Sequence, residues 1–367
     1  MMKMIDLKLL GILLLSFMQA FLIWAGEVDN YLAWEKDIPD SYILFNQFLN
    51  DRIGHTVGKI NRAMKNGSQS AHVYKECENV SMEIIKKLGT NYLGLAALNA
   101  EFELWAQDNP LIESYPINTT TNDEMRTISL YGPSPSFVES FFISIDRVVN
   151  VGGIYFGTDK LSHFTGSGYL YYGNYLKAKK RGKSEIDAIK YAVKKGYMME
   201  GGIIGIKSTG VFSYADLEAN FQGMLMTIDM CEGETPYLSS ENGKWELTTE
   251  IDFRNYVNPY WDESFNTSGY TPKRIKKMFK MIKKNGYCDL LHSEWVANQR
   301  AGYMDFITRQ AGLLSSYSRP VAYSFDLIQQ MQKAEKKMQT LLHENKIYAK
   351  DKYELSQLCS QLRIVHE

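Results

Sequence analysis

Apolar side chains recur every three or four positions along most of this chain, which is the spacing of one face of an α-helix. The clearest stretch is residues 41–66, where large apolar residues form one stripe that ends at Asn66-Gly67. The same spacing predicts helices in residues 76–89, 93–107 and 325–343. The pattern therefore predicts a mainly α fold, a multi-helix globular domain with a small β-hairpin.

Residues 134–231 are expected to form the core of this domain. Ser134-Pro135 is typical of a helix start, and that helix is predicted to run to about Asn150, before a glycine-rich connector or short strand. Three more helices are predicted at about 159–179, 184–199 and 213–230, each with a serine or threonine that can cap its first turn. These capping residues are Thr158, Ser184 and Ser213.

The segments around this core differ in composition. Residues 109–136 are rich in Pro, Thr, Asn and Ser, so we predict a long loop or a pair of short strands there. Asn242-Gly243 lies between two short runs of strand-like sequence and predicts the hairpin. The chain after this hairpin is predicted to be helical again.

The N-terminus resembles a secretory signal peptide. Two lysines precede the long apolar run "LLGILLLSFMQAFLIWA", and small residues follow it, so residues 1–25 form the predicted signal with cleavage after Ala25. An uncleaved membrane anchor is the alternative. Residues 26–367 then form a single large, mostly helical domain without a further membrane span. We expect an exported protein, periplasmic or in the outer envelope, with peripheral membrane contact allowed.

The composition of the chain limits the classes of partner that it is expected to bind. Among 367 residues, 45% are hydrophobic and 23% are charged, and the formal net charge is −1, so the sequence lacks the positive footprint of a nucleic-acid-binding protein. Phosphate-binding loops, dinucleotide fingerprints and nucleophile elbows are also missing from the sequence. We therefore predict no nucleic-acid partner and no cofactor.

The four cysteines are scattered without a CxxC pair. In an oxidising compartment four cysteines can form two disulfides with three alternative connectivities. One hypothesis is that Cys231 pairs with Cys288 and closes the segment that follows the core. The four residues are Cys77, Cys231, Cys288 and Cys359.

Two of the predicted core helices carry the same polar stripe. Asp159 and His163 are followed by a glycine at the i, i+4 and i+7 positions of one helix, and Asp216 and Asn220 are followed by a glycine at the same spacing in another. A glycine inside a helix costs roughly 1 kcal/mol relative to alanine, so close approach of another element is expected there. We therefore predict that the two stripes face each other across a polar cleft, and that Glu200 joins them.

Each of these residues also has a structural interpretation. Ser213 and Asp216 have the spacing of a capping box, and Asp159 lies in a first turn, where the helix dipole favours an acid. A buried histidine such as His163 is more often a hydrogen-bonded core residue than a functional one. Capping does not explain His163, Asn220 and Glu200 together, which favours a shared site.

The ordered motif "GTDKLSHF", "GYMMEGG" and "STGVFSYADLEANFQG" resembles the signature of VanZ-like proteins and related exported bacterial proteins. The resemblance covers about Gly157 to Gly223 and implies a cell-envelope setting but no defined reaction. VanZ-like proteins are integral membrane proteins, whereas the matching helices here are too polar to span a bilayer. The site residues that the resemblance implies are Asp159, Lys160, His163, Glu200, Ser213, Asp216 and Asn220.

A second resemblance lies just upstream. "SPSFVESFF" followed by "NVGGIYFG" is similar to lysozyme-like and lytic transglycosylase domains, although the usual G-L-M-Q segment is missing. That resemblance implies Glu139 as a general acid with a raised pKa, Tyr155 near the glycan and Asp159 as the second carboxylate. Ser136 and Glu139 also form a capping box, which is the structural alternative.

The sequence thus leaves three functional hypotheses. The leading one is a hydrolase that cleaves cell-wall glycan with Glu139 or Glu200 as the acid and with Asp159 and His163 assisting. The alternatives are a non-catalytic envelope protein whose polar cleft binds a ligand or is structural, and a metal-dependent hydrolase that uses Asp159, His163 and either Glu200 or Asp216. Solvent exposure should distinguish a binding or catalytic cleft from a structural network, because a cleft must be open to solvent. The predicted substrate-binding residues are Lys160, Tyr155, Ser213, Asp216 and Asn220.

Overall fold

The structure is a computed structural model, and it confirms the mainly α fold. It describes residues 25–67, 71–90, 100–132, 143–201, 205, 209–232, 235–313 and 355–364. The helices are α1 Tyr42–Lys65, α2 Cys77–Gly89, α3 Glu101–Asp108, α4 Asn122–Ile128, α5 Asp159–Ser162, α6 Gly168–Lys179, α7 Glu185–Glu200, α8 Tyr214–Asp229, α9 Pro272–Asn285, α10 Tyr287–Leu290, α11 Glu294–Leu313 and α12 Leu355–Ile364.

Short strands pair in twos around these helices. β1 and β2 are parallel, whereas β3 with β4, β5 with β8 and β6 with β7 are antiparallel. The strands are β1 Ala25–Val28, β2 Ile143–Asp146, β3 Val148–Val151, β4 Ile154–Gly157, β5 Val211–Phe212, β6 Leu238–Glu241, β7 Lys244–Leu247 and β8 Gly269–Tyr270. The predicted hairpin is confirmed, since Asn242 and Gly243 join β6 to β7 with positive φ angles.

Two of the three predicted caps are confirmed. The Ser184 side chain accepts a hydrogen bond from the Asp187 backbone N–H, and the Ser213 side chain accepts one from the Asp216 backbone N–H. The prediction for Thr158 was wrong. Its side chain makes no capping bond and instead accepts a hydrogen bond from Gln107 Nε2 at 3.1 Å.

The prediction that a helix runs to about Asn150 was wrong at the end of that helix, because residues 143–151 form β2 and β3. Valine and isoleucine dominate this stretch, and β-branched side chains favour strands. Gly152 and Gly153 then adopt positive φ angles in the tight turn to β4, which is the short strand that the sequence allowed. Ser134, Pro135 and Glu139 lie outside the described residues.

Two connecting segments also differ from prediction. Residues 109–136 were predicted as loop or strand, but α4 begins there with a capping box made by Thr121 and Glu124. The chain after the hairpin was predicted to be helical, which holds for α9 to α12, but residues 253–271 are mostly buried irregular chain that contains β8 and two short 3₁₀ turns at Phe253–Asn255 and Pro259–Trp261. The helix predicted at 325–343 lies outside the described residues.

The main apolar core lies between the helices that carry the polar stripes and the helices α1 and α2. The helix through His163 and Phe164 packs against α8 so closely that a Cβ at Gly223 would overlap the Phe164 carbonyl oxygen. A Cβ at Gly168 would in turn lie 3.0 Å from Gly223 Cα. The close approach expected from the stripe glycine of α8 is therefore confirmed.

This contact gives a first prediction. Gly223→Ala should lower the free energy of unfolding by about 1–3 kcal/mol, because the new methyl group must push α8 away from the Phe164 carbonyl. Thermal and urea unfolding would measure the loss. Gly58→Ala in α1 is the matched control, since its Cβ would meet little beyond Arg62 Nη1 at 3.9 Å. Equal stability of both variants would contradict the predicted contact.

Both disulfides are present, but the Cys231–Cys288 hypothesis was wrong. Cys77 pairs with Cys231, and Cys288 pairs with Cys359. The reason is packing, since α2 contacts the end of α8, whereas α10 contacts α12. Within the described residues, every helix is too short or too polar to cross a bilayer.

Candidate functional site

The opening turns of α5 bring three ionisable side chains into the interior. β4 ends at Gly157, Asp159 and Lys160 follow in the first turn, and His163 begins a π-helical turn that spans His163–Ser167 before α6 continues. A π-helical turn widens the helix locally and occurs often at functional sites. The turn places His163 and its neighbours against α8.

Lys160 lies at the centre of a group of carboxylates. Its ammonium Nζ is 2.5 Å from Asp159 Oδ2, 2.7 Å from Asp216 Oδ1 and 2.8 Å from Glu263 Oε1, and the side chain is 0% exposed. Burial alone would lower the pKa of Lys160, but the three carboxylates outweigh burial and raise that pKa well above its usual value. The lysine is therefore a buried, permanently charged ammonium.

Glu263 is a site residue that the sequence patterns did not indicate. It lies in the irregular buried segment 253–271, and its Oε1 also accepts a hydrogen bond from Ser213 Oγ at 2.9 Å. Its second oxygen is within reach of Ser268 Oγ at 3.3 Å and Tyr131 Oη at 3.5 Å. Ser213 thus caps α8 and holds Glu263 at the same time.

His163 joins the two polar stripes as predicted. Its Nε2 is 3.1 Å from Asp216 Oδ2 and its Nδ1 is 3.0 Å from Asn220 Oδ1. Both partners are acceptors in this arrangement, so the ring donates from both nitrogens and is an imidazolium. Burial alone would lower the pKa of His163, but the Asp216 charge and hydrogen bond outweigh burial and raise it to about 9.

Glu200 lies on the other side of Ser213. Its Oε1 accepts a hydrogen bond from the Ser213 backbone N–H at 3.0 Å, at the end of α7. Burial raises the pKa of Glu200 to about 8, and the nearby Asp216 charge adds to this effect. Burial alone would also raise the pKa of Asp216, but His163 and Lys160 hold it well below its usual value. At neutral pH Glu200 is therefore a neutral acid and Asp216 an ionised carboxylate.

More carboxyl groups surround this centre, and none of them was predicted. Glu103 accepts a hydrogen bond from Ser162 Oγ, and Gln107 Nε2 links Glu103 Oε1 at 3.1 Å to Asp146 Oδ1 at 3.3 Å. Burial raises the pKa of Glu103 to about 7 and that of Asp146 well above its usual value. Glu27 of β1 is buried as well, and burial raises its pKa strongly. We call the whole set the acidic cluster, which comprises Glu27, Glu103, Asp146, Asp159, Lys160, His163, Glu200, Asp216 and Glu263.

Among the described residues, a small pocket reaches the acidic cluster at His163, Glu200 and Asn220, beside Tyr171 and Gly196. The pocket has a volume of about 10 Å³, which is about the room that one water molecule needs. A Cβ at Gly196 would overlap the Tyr171 hydroxyl, so α6 and α7 meet closely at its edge.

Most of the predicted site residues converge. Asp159, Lys160, His163, Asp216 and Asn220 contact one another directly, and Ser213 and Glu200 complete the group. Tyr155 has other partners. Its hydroxyl bonds to the Lys36 carbonyl, and its ring contacts Trp295. Glu139, the predicted acid of the lysozyme-like resemblance, lies outside the described residues.

Asp159, His163 and Asp216 could in principle hold a metal ion, because one donor atom from each lies within 4.8 Å of the others. Their donors are already engaged, however. Both His163 nitrogens donate hydrogen bonds, and Asp216 contacts both His163 and Lys160. A divalent ion would have to displace a buried ammonium and remove a proton from His163, so these residues fit a metal ion poorly.

Comparisons with models of known families, with curated proteins and with solved structures gave no match to this chain.

Proposed function

We propose that this chain is an exported cell-envelope protein in which the acidic cluster is a closed structural network rather than a catalytic cleft. The observation that carries the proposal is burial, because Lys160 is fully buried and the charged side chains around it are almost inaccessible. A glycan chain needs an open groove, since ligand sites are concave and reachable from solvent. The pocket that the described residues form beside Glu200 has room for about one water molecule.

The cellular setting rests on separate observations. Both disulfides link segments that are far apart in sequence, 154 and 71 residues, and such bonds persist in oxidising compartments. The signal-like N-terminus and the VanZ-like motif point in the same direction. In this setting the network ties α5, α8 and the 253–271 segment together by charge.

The proposal predicts that Glu200→Gln raises stability at pH 7. Glutamine keeps the acceptor that the Ser213 backbone N–H uses, whereas folded Glu200, with a pKa of about 8, must hold a proton that the unfolded chain has already released at this pH. The melting temperature Tm is the measurement. Glu241→Gln on the exposed hairpin is the control.

The same two proteins test for catalysis. The chain from Gly26 onward and its Glu200→Gln variant would be incubated with purified peptidoglycan, and released fragments would be identified by mass spectrometry. We expect intact glycan from both proteins. New reducing or anhydro sugar ends from the unmodified chain, lost in the variant, would overturn the structural proposal.

A glycan-cleaving hydrolase remains the second candidate, because of one observation. Glu200 and Asp216 are neighbouring carboxyl groups whose pKa values are shifted in opposite directions, which is the arrangement of a general acid and an ionised carboxylate. In that case the pocket would have to open by separation of α6 and α7. The assay above distinguishes the two functions.

A further inference from the structure

Two oxygens of the acidic cluster lack a partner. Asp146 Oδ2 and Asp159 Oδ1 are hidden from solvent and accept no hydrogen bond from the described residues. The two residues are only 5% and 3% exposed. A buried carboxylate oxygen without a donor is costly, because the group has lost its water and gained nothing in exchange. Both oxygens are therefore free to accept a hydrogen bond from a further donor.

The backbone of Gly26 passes directly beside both side chains. A Cβ on Gly26 would overlap Asp146 Oδ2 and would lie 3.0 Å from Asp159 Cβ. A backbone nitrogen lies about 2.5 Å from its own Cβ, so the Gly26 nitrogen is within about 5 Å of Asp146 Oδ2. β1 holds this position by parallel pairing, with Gly26 opposite Ser144 and Val28 opposite Asp146.

No described cation is hydrogen-bonded to Asp146. Lys160 is already shared by three other carboxylates, and burial together with the charges of Glu103 and Asp159 raises the pKa of Asp146 well above its usual value. On the Asp146 side the neutral amide of Gln107 is the only described hydrogen-bond donor to the carboxylate. A cation beside Asp146 and Asp159 would therefore be attracted to both carboxyl groups and would favour their ionised forms.

We propose that cleavage of the signal peptide after Ala25 supplies this cation, as the α-ammonium of Gly26, which binds Asp146 Oδ2 and lies next to Asp159. The inference rests on the proposed export. A signal peptidase would hydrolyse the Ala25–Gly26 peptide bond with one water molecule, the new Ala25 carboxylate would leave with residues 1–25, and the new amine would take up a proton.

The proposal explains why a glycine stands at this position. A side chain on residue 26 would occupy the space of the Asp146 carboxylate, whereas glycine leaves the α-ammonium free to approach it. Before cleavage the same nitrogen is an uncharged amide. The acidic cluster thus becomes complete only in the mature chain, and removal of the signal stabilises the fold.

The test compares three forms of the mature protein: one that begins at Gly26, one with a single extra serine before Gly26, and one whose Gly26 amine is acetylated. We expect the Gly26 form to have a Tm about 5 °C above the other two, because each of them moves or removes a buried charge. Asp146→Asn should abolish this difference, whereas Asp51→Asn on the exposed face of α1 should preserve it.

A second readout does not depend on unfolding. The pKa of a ¹⁵N-labelled Gly26 amine, followed by NMR, should lie at least about one unit above the ordinary 7.7–8.0 of an α-amino group. An ordinary pKa, or equal Tm values for the three forms, would overturn the ion pair even if the protein is exported.

The processing step has its own readout, which separates this inference from the proposed function. Mass spectrometry of the full-length chain, expressed in a host that exports it, should show a mature species that begins at Gly26. An exported chain that is cut elsewhere overturns the inference but leaves the proposed function standing. A chain that stays in the cytoplasm contradicts the proposed function, and the purified Gly26 form still decides the ion pair.

Discussion

Lys160→Met is expected to lower the free energy of unfolding by about 3–5 kcal/mol, the usual cost of removing one partner from a buried ion pair. Methionine fills a similar volume, so the loss comes from charge rather than from a cavity. Three carboxylates that now lie 2.5–2.8 Å from the ammonium would remain buried without it. Urea unfolding at pH 7 would measure the change.

The control is Lys177→Met on the exposed face of α6, which should shift stability by less than about 0.5 kcal/mol. If Lys160→Met does not fold, the double variant with Glu263→Gln remains informative. It removes one of the stranded charges and should be more stable than the single variant. A Lys160→Met protein with the stability of the unmodified chain would show that the ammonium is not the centre of the network.

The convergence of the two polar stripes could be predicted from sequence because it depends on helical period alone. Asp159 and His163 share a face at i, i+4, as do Asp216 and Asn220, and the contacts His163–Asp216 and His163–Asn220 follow once these two faces lie against each other. Gly223, the glycine of the polar stripe on α8, also predicted that the two helices approach each other closely. Local rules therefore predicted which side chains of the two helices meet.

The capping and site interpretations of α8, which were weighed as alternatives, turn out to be compatible. Ser213 Oγ accepts a hydrogen bond from the Asp216 backbone N–H, as a cap does, and also donates to Glu263. Asp216 in turn contacts Lys160 and His163 with its side chain. One residue can satisfy the helix end with one group and the buried network with another.

The remaining carboxyl groups could not be predicted, because each comes from a segment without a helical period or far away in sequence. Glu263 meets Lys160 across 103 residues, from a buried segment that was predicted to be helical. Asp146 was not predicted as a site residue, because the residues of β2 and β3 were predicted to be helical. The disulfide pairing failed for the same reason, since connectivity depends on how distant helices pack.

Stability should be highest near pH 4 and should fall steadily as the pH rises to about 9. Several buried acids have raised folded-state pKa values, among them Glu200 at about 8, and Glu103 and Asp29 at about 7. His163 is raised to about 9. A raised pKa means that the folded state holds its proton more tightly than the unfolded chain. That contribution is complete below the unfolded pKa and is lost as the pH passes the folded one.

The buried acids and His163 all lose their contribution to stability as the pH rises. The acids lose their contribution between about pH 4 and 8, and His163 loses its own between about pH 6.5 and 9. The pKa of Asp216 is lowered, so its contribution to stability is lost only when the pH falls below the ordinary pKa of an aspartate. The upper part of the pH profile is therefore decided by the buried acids and by His163.

The Glu200→Gln variant isolates one of these groups. Glutamine cannot ionise, so the variant should match the unmodified chain near pH 4 and should become steadily more stable than it up to about pH 8, because folded Glu200 keeps a proton that the unfolded chain has released. Melting temperatures taken at unit steps of pH would give both curves, with Glu241→Gln as the control. Curves that stay parallel across this range would mean that Glu200 titrates at its ordinary pKa and is not enclosed with Asp216 in the folded protein.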